Sequence, residues 1–198
     1  MAAIIAAARE AFARHGRDGA RIDAIAEAAG INKRMIYYYF TDKEGLFLAT
    51  LEELYKGISE AANLLVLTKD PQDALDEYVE GMFTFYRAHP ETVAILNNEN
   101  LYAASHLKRS TVIPELKGRF ADKLDDVLRQ GVENGVFRPG LDTVTIHITV
   151  IALVYLYVGN NATLSVYFGR DLSSEAAHEA WLQHIKSSIR AIVAAPRT

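Results

Sequence analysis

Residues 22–40 read IDAIAEAAGINKRMIYYYF, two short apolar-periodic segments separated by Gly30. Neither is long enough to be a stable helix alone, so each must bury its apolar residues against the other and against a neighbour. Ile25, Ala29, Ile31, Ile36 and Phe40 fall at spacings that make one small shared core. Ala26 and Ala29 permit close approach, Gly30 suits a tight turn, and Asn32 is placed to cap the second segment. Two helices joined by a tight glycine turn are the layout of a helix-turn-helix, whose second helix enters the major groove of DNA.

Once Ile36 and Phe40 point inward, the second helix shows Lys33, Arg34, Met35, Tyr37, Tyr38 and Tyr39 to solvent. Three consecutive exposed tyrosines call for a partner: their hydroxyls reach phosphate oxygens and their rings pack on sugars and thymine methyls. Lys33 and Arg34 stand at the helix N-terminus, where recognition helices meet base edges, and arginine can donate two parallel hydrogen bonds to guanine. Lys43, in the first turn of the following helix, adds charge to N–H groups that already attract a phosphate. A helix pair alone, or a tyrosine cluster alone, is more often ordinary packing. The reading rests on their combination near the N-terminus.

The net charge of −4 excludes a generally polybasic binder but leaves room for a local basic patch. Residues 1–45 hold seven basic and six acidic groups, and the remainder fourteen and nineteen, a weak asymmetry in the expected direction. Half of the 198 residues are apolar and 23% charged, a globular composition. No cysteine is present, so disulfides, thiolate metal sites and cysteine nucleophiles drop out, in keeping with a cytoplasmic location. The apolar start is interrupted by Arg9 and Glu10 and reads as no signal peptide.

Period-two patterning is weak, and prolines at 71, 90, 114, 139 and 196 punctuate helical periodicity. The chain reads as all-α, with about nine helices near 2–15, 22–29, 33–39, 42–67, 72–88, 91–104, 114–134, 142–167 and 174–194. Thr41 with Glu44 is placed as a capping box, Asp142 and Ser173 as caps, Leu141 and Ile146 as a hydrophobic staple, and Gly16, Gly30 and Gly135 as stops. Residues 144–158 are apolar nearly all round and rich in β-branched side chains. Their length favours helix over strand, and they are too short and too often interrupted by polar residues for a membrane span. A helix buried on several faces, in the core or at a subunit interface, is expected.

Residues 4–50 resemble the DNA-binding domain of the TetR family of transcriptional regulators. The likeness is carried by Ala8, Phe12, Gly16, the run Ile25 to Gly30, the run Ile36 to Phe40, and Lys43, Glu44, Gly45, Leu46 and Phe47. It implies two domains, a three-helix helix-turn-helix unit over 1–45 and a helical ligand-binding and dimerisation domain over 46–198. It implies a homodimer on palindromic operator DNA and repression relieved by a small-molecule effector. By position, Lys33, Arg34, Met35, Tyr37, Tyr38 and Tyr39 face the groove, with Arg21 and Lys43 on phosphate. Arg21 stands where the family usually has a capping threonine or serine, Arg34 where a small residue is common, and no basic arm precedes Arg9.

The C-terminal part, through His89-Pro90-Glu91, Glu99, Leu101 and Gly135-Val136-Phe137-Arg138, is similar to the subgroup containing the pyrimidine-utilisation repressor, which by itself names no ligand. The resemblance implies that the last two long helices pair with their symmetry mates. Trp181, Ile185 and Ile189 form an apolar stripe suited to core or interface. Candidate effector contacts are the polar residues on otherwise apolar helices: Tyr78, Tyr86, Asn98, Glu99, Tyr102, His147 and Tyr155, of which Asn98, Glu99, Tyr102 and His147 are expected to orient the ligand.

No phosphate loop, nucleophile elbow or HExxH is present, and no two histidines stand four apart, so no enzyme activity, cofactor or metal site is expected. The alternative reading is a helical small-molecule-binding or interaction protein without specific DNA binding. Within regulators, repressor and activator remain open.

Overall fold

Pro71 and Pro90 each begin a helix, where a missing N–H leaves no partner unsatisfied. The computed structural model describes residues 1–116 and 119–195. Its helices are α1 (Ala2–Gly19), α2 (Ile22–Ala28), α3 (Lys33–Phe40), α4 (Lys43–Leu64), α5 (Pro71–Ala88), α6 (Pro90–Leu101), a 3-10 turn (Leu107–Arg109), α7 (Ile113–Leu116), α8 (Arg119–Glu133), α9 (Thr143–Phe168) and α10 (Glu175–Val193). Among the described residues there is no strand, only an isolated antiparallel bridge between Phe137 and Ala194. The fold is all-α, as expected. The helix expected over 114–134 appears as α7 and α8, and its junction at 117–118 lies outside the described residues, as does Pro196.

The chain forms two compact units, residues 1–59 with 89–117, and residues 60–88 with 118–198. In the first, Ile4, Ala8 and Phe12 of α1, Ile25 of α2, Ile36 and Phe40 of α3, and Leu46, Phe47 and Leu51 of α4 share one core. The Phe12 and Phe47 rings meet edge to face, 5.0 Å apart. Ile95 of α6 is fully buried in the same core, and Leu96 and Leu107 pack against it. The helix-turn-helix therefore shares its interior with a segment far along the chain.

In the second unit α5 packs against α8, α9 and α10. Leu75, Val79, Met82 and Phe83 of α5 are buried with Leu124 and Leu128 of α8, Ile146, Val150 and Val154 of α9, and Leu182, Ile185 and Ile189 of α10. Trp181 stacks on Tyr157 at 4.7 Å and donates to the Leu153 carbonyl. The stripe on α10 is core, as its spacing indicates.

The run 144–158 is helical despite its β-branched side chains, and in the single chain one of its faces is buried. Ile146, Val150 and Val154 face the core, while Val144, Ile148 and Leu156 are more than half exposed. By length and composition alone α9 could cross a bilayer. Its buried residues are instead part of the packed core of this unit.

Several caps behave as their chemistry dictates. Asn32 accepts the Arg34 N–H, and Asp142 accepts the Thr145 N–H. Two expectations are corrected. Thr41 has φ 66° and does not cap α4; Asp42 accepts the Gly45 N–H at 2.7 Å, and Glu44 turns to other partners. The cap of α10 is Ser174, because the Ser173 hydroxyl and N–H are both held by Asp171.

Candidate functional site

Burial of Ile36 and Phe40 fixes the face that α3 presents. Tyr38 is 79% exposed, Tyr37 49%, Tyr39 46% and Met35 39%, and Arg34 is also exposed. Tyr38 and Tyr39 meet edge to face at 5.1 Å, so the cluster is partly ordered by its own rings. Tyr39 also lines a cleft of about 690 Å³ with α1 and α4 residues such as Ile5, Arg9 and Leu48. Lys33 pairs with Asp23 of α2 at 3.0 Å, whereas the Arg34 side chain has no hydrogen bond or ion pair among the described residues. Arg21 occupies the N-cap of α2 without a side-chain cap bond, leaving its guanidinium exposed. Lys43 is half-buried and its ammonium donates to the Asp18 carbonyl at 2.9 Å. One lysine therefore closes the end of α1 and sits at the N-terminus of α4.

The seven candidate effector residues are divided between the two units. Asn98, Glu99 and Tyr102 belong to the first unit, and Tyr78, Tyr86, His147 and Tyr155 to the second. The first three have structural partners. Asn98 accepts the Arg17 N–H at 2.9 Å. Tyr102 donates to Asp18 at 2.5 Å, and the Arg17 guanidinium lies 4.0 Å from the centre of its ring. Glu99 is buried and accepts the N–H groups of His106 and Leu107.

Arg17, Glu44 and His106 complete this polar network, and none was marked for it by sequence. His106 Nδ1 lies 2.6 Å from Glu99, and its Nε2 lies 2.5 Å from Glu44. Arg17 donates to both Glu44 oxygens at 2.7 Å. Desolvation pushes the Glu44 carboxyl up, but hydrogen bonds from His106 and Arg17 outweigh it and hold the group below its usual range. Partners so distant along the chain leave no local pattern to read.

In the second unit Tyr78 is fully buried, and its hydroxyl lies 2.5 Å from His147 Nδ1. Burial lowers the His147 ring and raises the Tyr78 phenol, so both are neutral and share one hydrogen between the phenol oxygen and Nδ1. Phe120 meets Tyr78 edge to face at 6.0 Å, and Tyr86 meets Tyr155 in the same way at 5.8 Å. The Tyr78–His147 polar pair is thus set among aromatic rings. Among the described residues no group of three His, Asp or Glu side chains could hold a metal ion.

Residues 4–50 match the bacterial regulatory proteins of the tetR family, and residues 71–189 match the tetracyclin repressor-like C-terminal domain. The chain belongs to the TetR family. The HTH-type transcriptional repressor NicS of Pseudomonas putida is 36% identical over 92% of this chain and 86% of its own. The HTH-type transcriptional regulator RutR of Escherichia coli is 30% identical over 69% of this chain and 64% of its own. The crystal structure of the transcriptional regulator SCO4942 from Streptomyces coelicolor superposes with a TM-score of 0.74, at 27% identity over 98% of both chains. This TetR-family chain is accordingly a DNA-binding transcriptional regulator with a ligand-binding C-terminal domain. Its relatives are regulators rather than enzymes.

Proposed function

We propose that the chain is a cytoplasmic repressor that binds a palindromic operator as a homodimer and leaves it when a small molecule occupies the second unit. One observation carries the DNA reading: α3 is anchored by Ile36 and Phe40 while Arg34, Tyr37 and Tyr38 stand exposed on its other faces. Arg34 is the base reader, because no partner among the described residues competes for it. Lys33, Met35, Tyr37, Tyr38 and Tyr39 complete the groove-facing set, and Arg21 and Lys43 add phosphate contacts. Residues 1–45 are the reading domain and residues 46–198 the effector and dimer domain, with α6 and the 3-10 turn packed as supports of the reader.

The uncovered apolar stripe of α9 supports pairing through α9 and α10, because Val144, Ile148 and Leu156 recur at helical spacing and are exposed in the single chain. A dimer so formed sets two recognition helices about 34–36 Å apart, one turn of B-DNA. For the effector, the Tyr78–His147 pair with Tyr86 and Tyr155 supports a mostly apolar ligand that accepts or donates one or two hydrogen bonds. Asn98, Glu99 and Tyr102 are assigned to the scaffold of the reading unit instead.

Selection of bound fragments from a random duplex pool, with and without candidate metabolites, tests the whole reading. A two-fold symmetric consensus whose binding weakens steeply with salt is expected. A consensus without symmetry rejects the dimer, and metabolite-independent binding across the panel rejects release by those compounds.

A further inference from the structure

We infer that His106 is a positioning residue for operator recognition: bridged between Glu99 and Glu44, it holds the N-terminus of α4, and with it the recognition helix, in the geometry that meets DNA. The inference rests on α3 as the reading helix.

Glu99 and His106 are 1% and 2% exposed, unusual burial for two ionisable side chains. One Glu99 oxygen accepts the N–H groups of His106 and Leu107 at 2.8 and 3.0 Å, and the other meets His106 Nδ1 at 2.6 Å. These contacts define the turn after α6. The same turn contains Ala103 and Ala104 at φ 52° and 58°, a left-handed pair that L side chains disfavour. Such a conformation persists when its surroundings over-determine it, as the Glu99 bonds do.

On its other side His106 reaches Glu44 in the first turn of α4, and its ring lies edge-on to buried Phe47, 4.9 Å away. Arg17 of α1 holds the same Glu44 carboxylate. Only Thr41 and Asp42 separate α4 from α3, and the Asp42 N–H is bonded to the Phe40 carbonyl. A shift of Glu44 therefore passes to the C-terminal end of α3 with little slack. Lys43, on the preceding residue, moves with it.

The bridge has a proton requirement. An ionised carboxylate only accepts, so meeting Glu99 and Glu44 together needs a hydrogen on both ring nitrogens. With one hydrogen gone, a nitrogen lone pair faces a carboxylate oxygen and one arm of the bridge opens. The charged and titratable groups around it are Arg17 and Asp18 on α1, Glu44 and Tyr55 on α4, Glu99 on α6, Tyr102 at the end of α6, and Lys108 and Arg109 on the 3-10 turn that follows His106. A Glu99→Gln side chain keeps an oxygen for the two backbone N–H groups and turns an amide N–H toward Nδ1. A ring with one hydrogen, on Nε2, then satisfies both neighbours.

The experiment uses the full-length chain and the duplex that the wild type selects from a random pool. Wild-type affinity should fall about tenfold or more on the alkaline side of its pH profile, and Glu99→Gln should lose this decline while keeping near-wild-type affinity at its best pH. His106→Ala should weaken binding about tenfold or more with an unchanged far-ultraviolet circular dichroism spectrum. If His106→Ala does not fold, the Glu99→Gln profile decides. Superimposed pH profiles for wild type and Glu99→Gln overturn the inference, as does a folded His106→Ala with wild-type affinity. Failure of the wild type to select any duplex overturns the DNA reading itself, and this inference with it.

Discussion

The side-chain oxygen of Asn98 accepts the backbone N–H of Arg17 at 2.9 Å, immediately after Gly16, which stands at φ 67° and ψ 173°. The α-helical ladder of α1 breaks at Gly16, and a side chain of α6 satisfies the amide the break sets free. A β-carbon on Gly16 would also lie 2.9 Å from the Asn98 amide nitrogen.

Gly16→Ala should therefore destabilise the first unit by about 1–3 kcal/mol, since this backbone region is nearly exclusive to glycine. Thermal unfolding with paired operator titration measures it. An unchanged melting midpoint would mean that the kink relaxes without cost.

Two neighbours on α3 should separate folding from binding. Ile36 is fully buried, and Ile36→Ala should cost about 2–5 kcal/mol of stability through the cavity left behind. Tyr38 is 79% exposed, so Tyr38→Ala should leave the melting midpoint within about a degree or two and weaken DNA binding. The reading of α3 fails if Tyr38→Ala binds as well as the wild type.

Arg34 and Lys33 should differ in kind. Arg34→Ala should relax preference at one base position, by about 1–3 kcal/mol of discrimination, without a uniform loss. Lys33 is already paired with Asp23, so Lys33→Ala should have a smaller effect, spread evenly over all sequences. Repeating the fragment selection with each variant checks this; an unchanged consensus for Arg34→Ala refutes base reading.

The second unit should lose stability in acid through His147. Burial holds the folded ring below its usual 6.5, so the unfolded chain binds the proton first. Stability is then retained above about pH 7 and declines as pH falls through the unfolded value toward the folded one. His147→Gln should flatten that part of a stability–pH curve recorded by chemical denaturation. Identical slopes for variant and wild type would show that other groups set the acid limb.

Leu156→Glu places a charge on the exposed stripe of α9, where Leu156 is 57% exposed in the single chain. If α9 forms the subunit interface, the variant should sediment as a monomer and lose operator affinity by several orders of magnitude, since half-site binding alone remains. A variant that stays dimeric moves the interface elsewhere.

The reader was legible in the sequence because its determinants are local. Spacing four apart sent Ile36 and Phe40 inward, and that alone turned the three tyrosines outward. Asn32 and Asp142 cap helices begun within three residues of themselves. The polar network was not legible for the opposite reason. Asn98 and Tyr102 look like ligand contacts when α6 is read alone, and their partners Arg17 and Asp18 lie more than eighty residues away. Glu44 resembles one half of a capping box until Arg17 and His106 claim its carboxylate.

Local periodicity and capping chemistry thus determined the helices and the buried and exposed faces of α3, because each depends on residues within a turn or two of one another, while the family was legible through the resemblance of residues 4–50. Tertiary packing alone decided that α6 and its following turn share a core with the helix-turn-helix, that Lys33 is engaged while Arg34 is free among the described residues, and that His106 sits between two carboxylates. Those outcomes depend on which distant surfaces bury together. That choice follows from the summed burial of many apolar side chains rather than from any short stretch of chain.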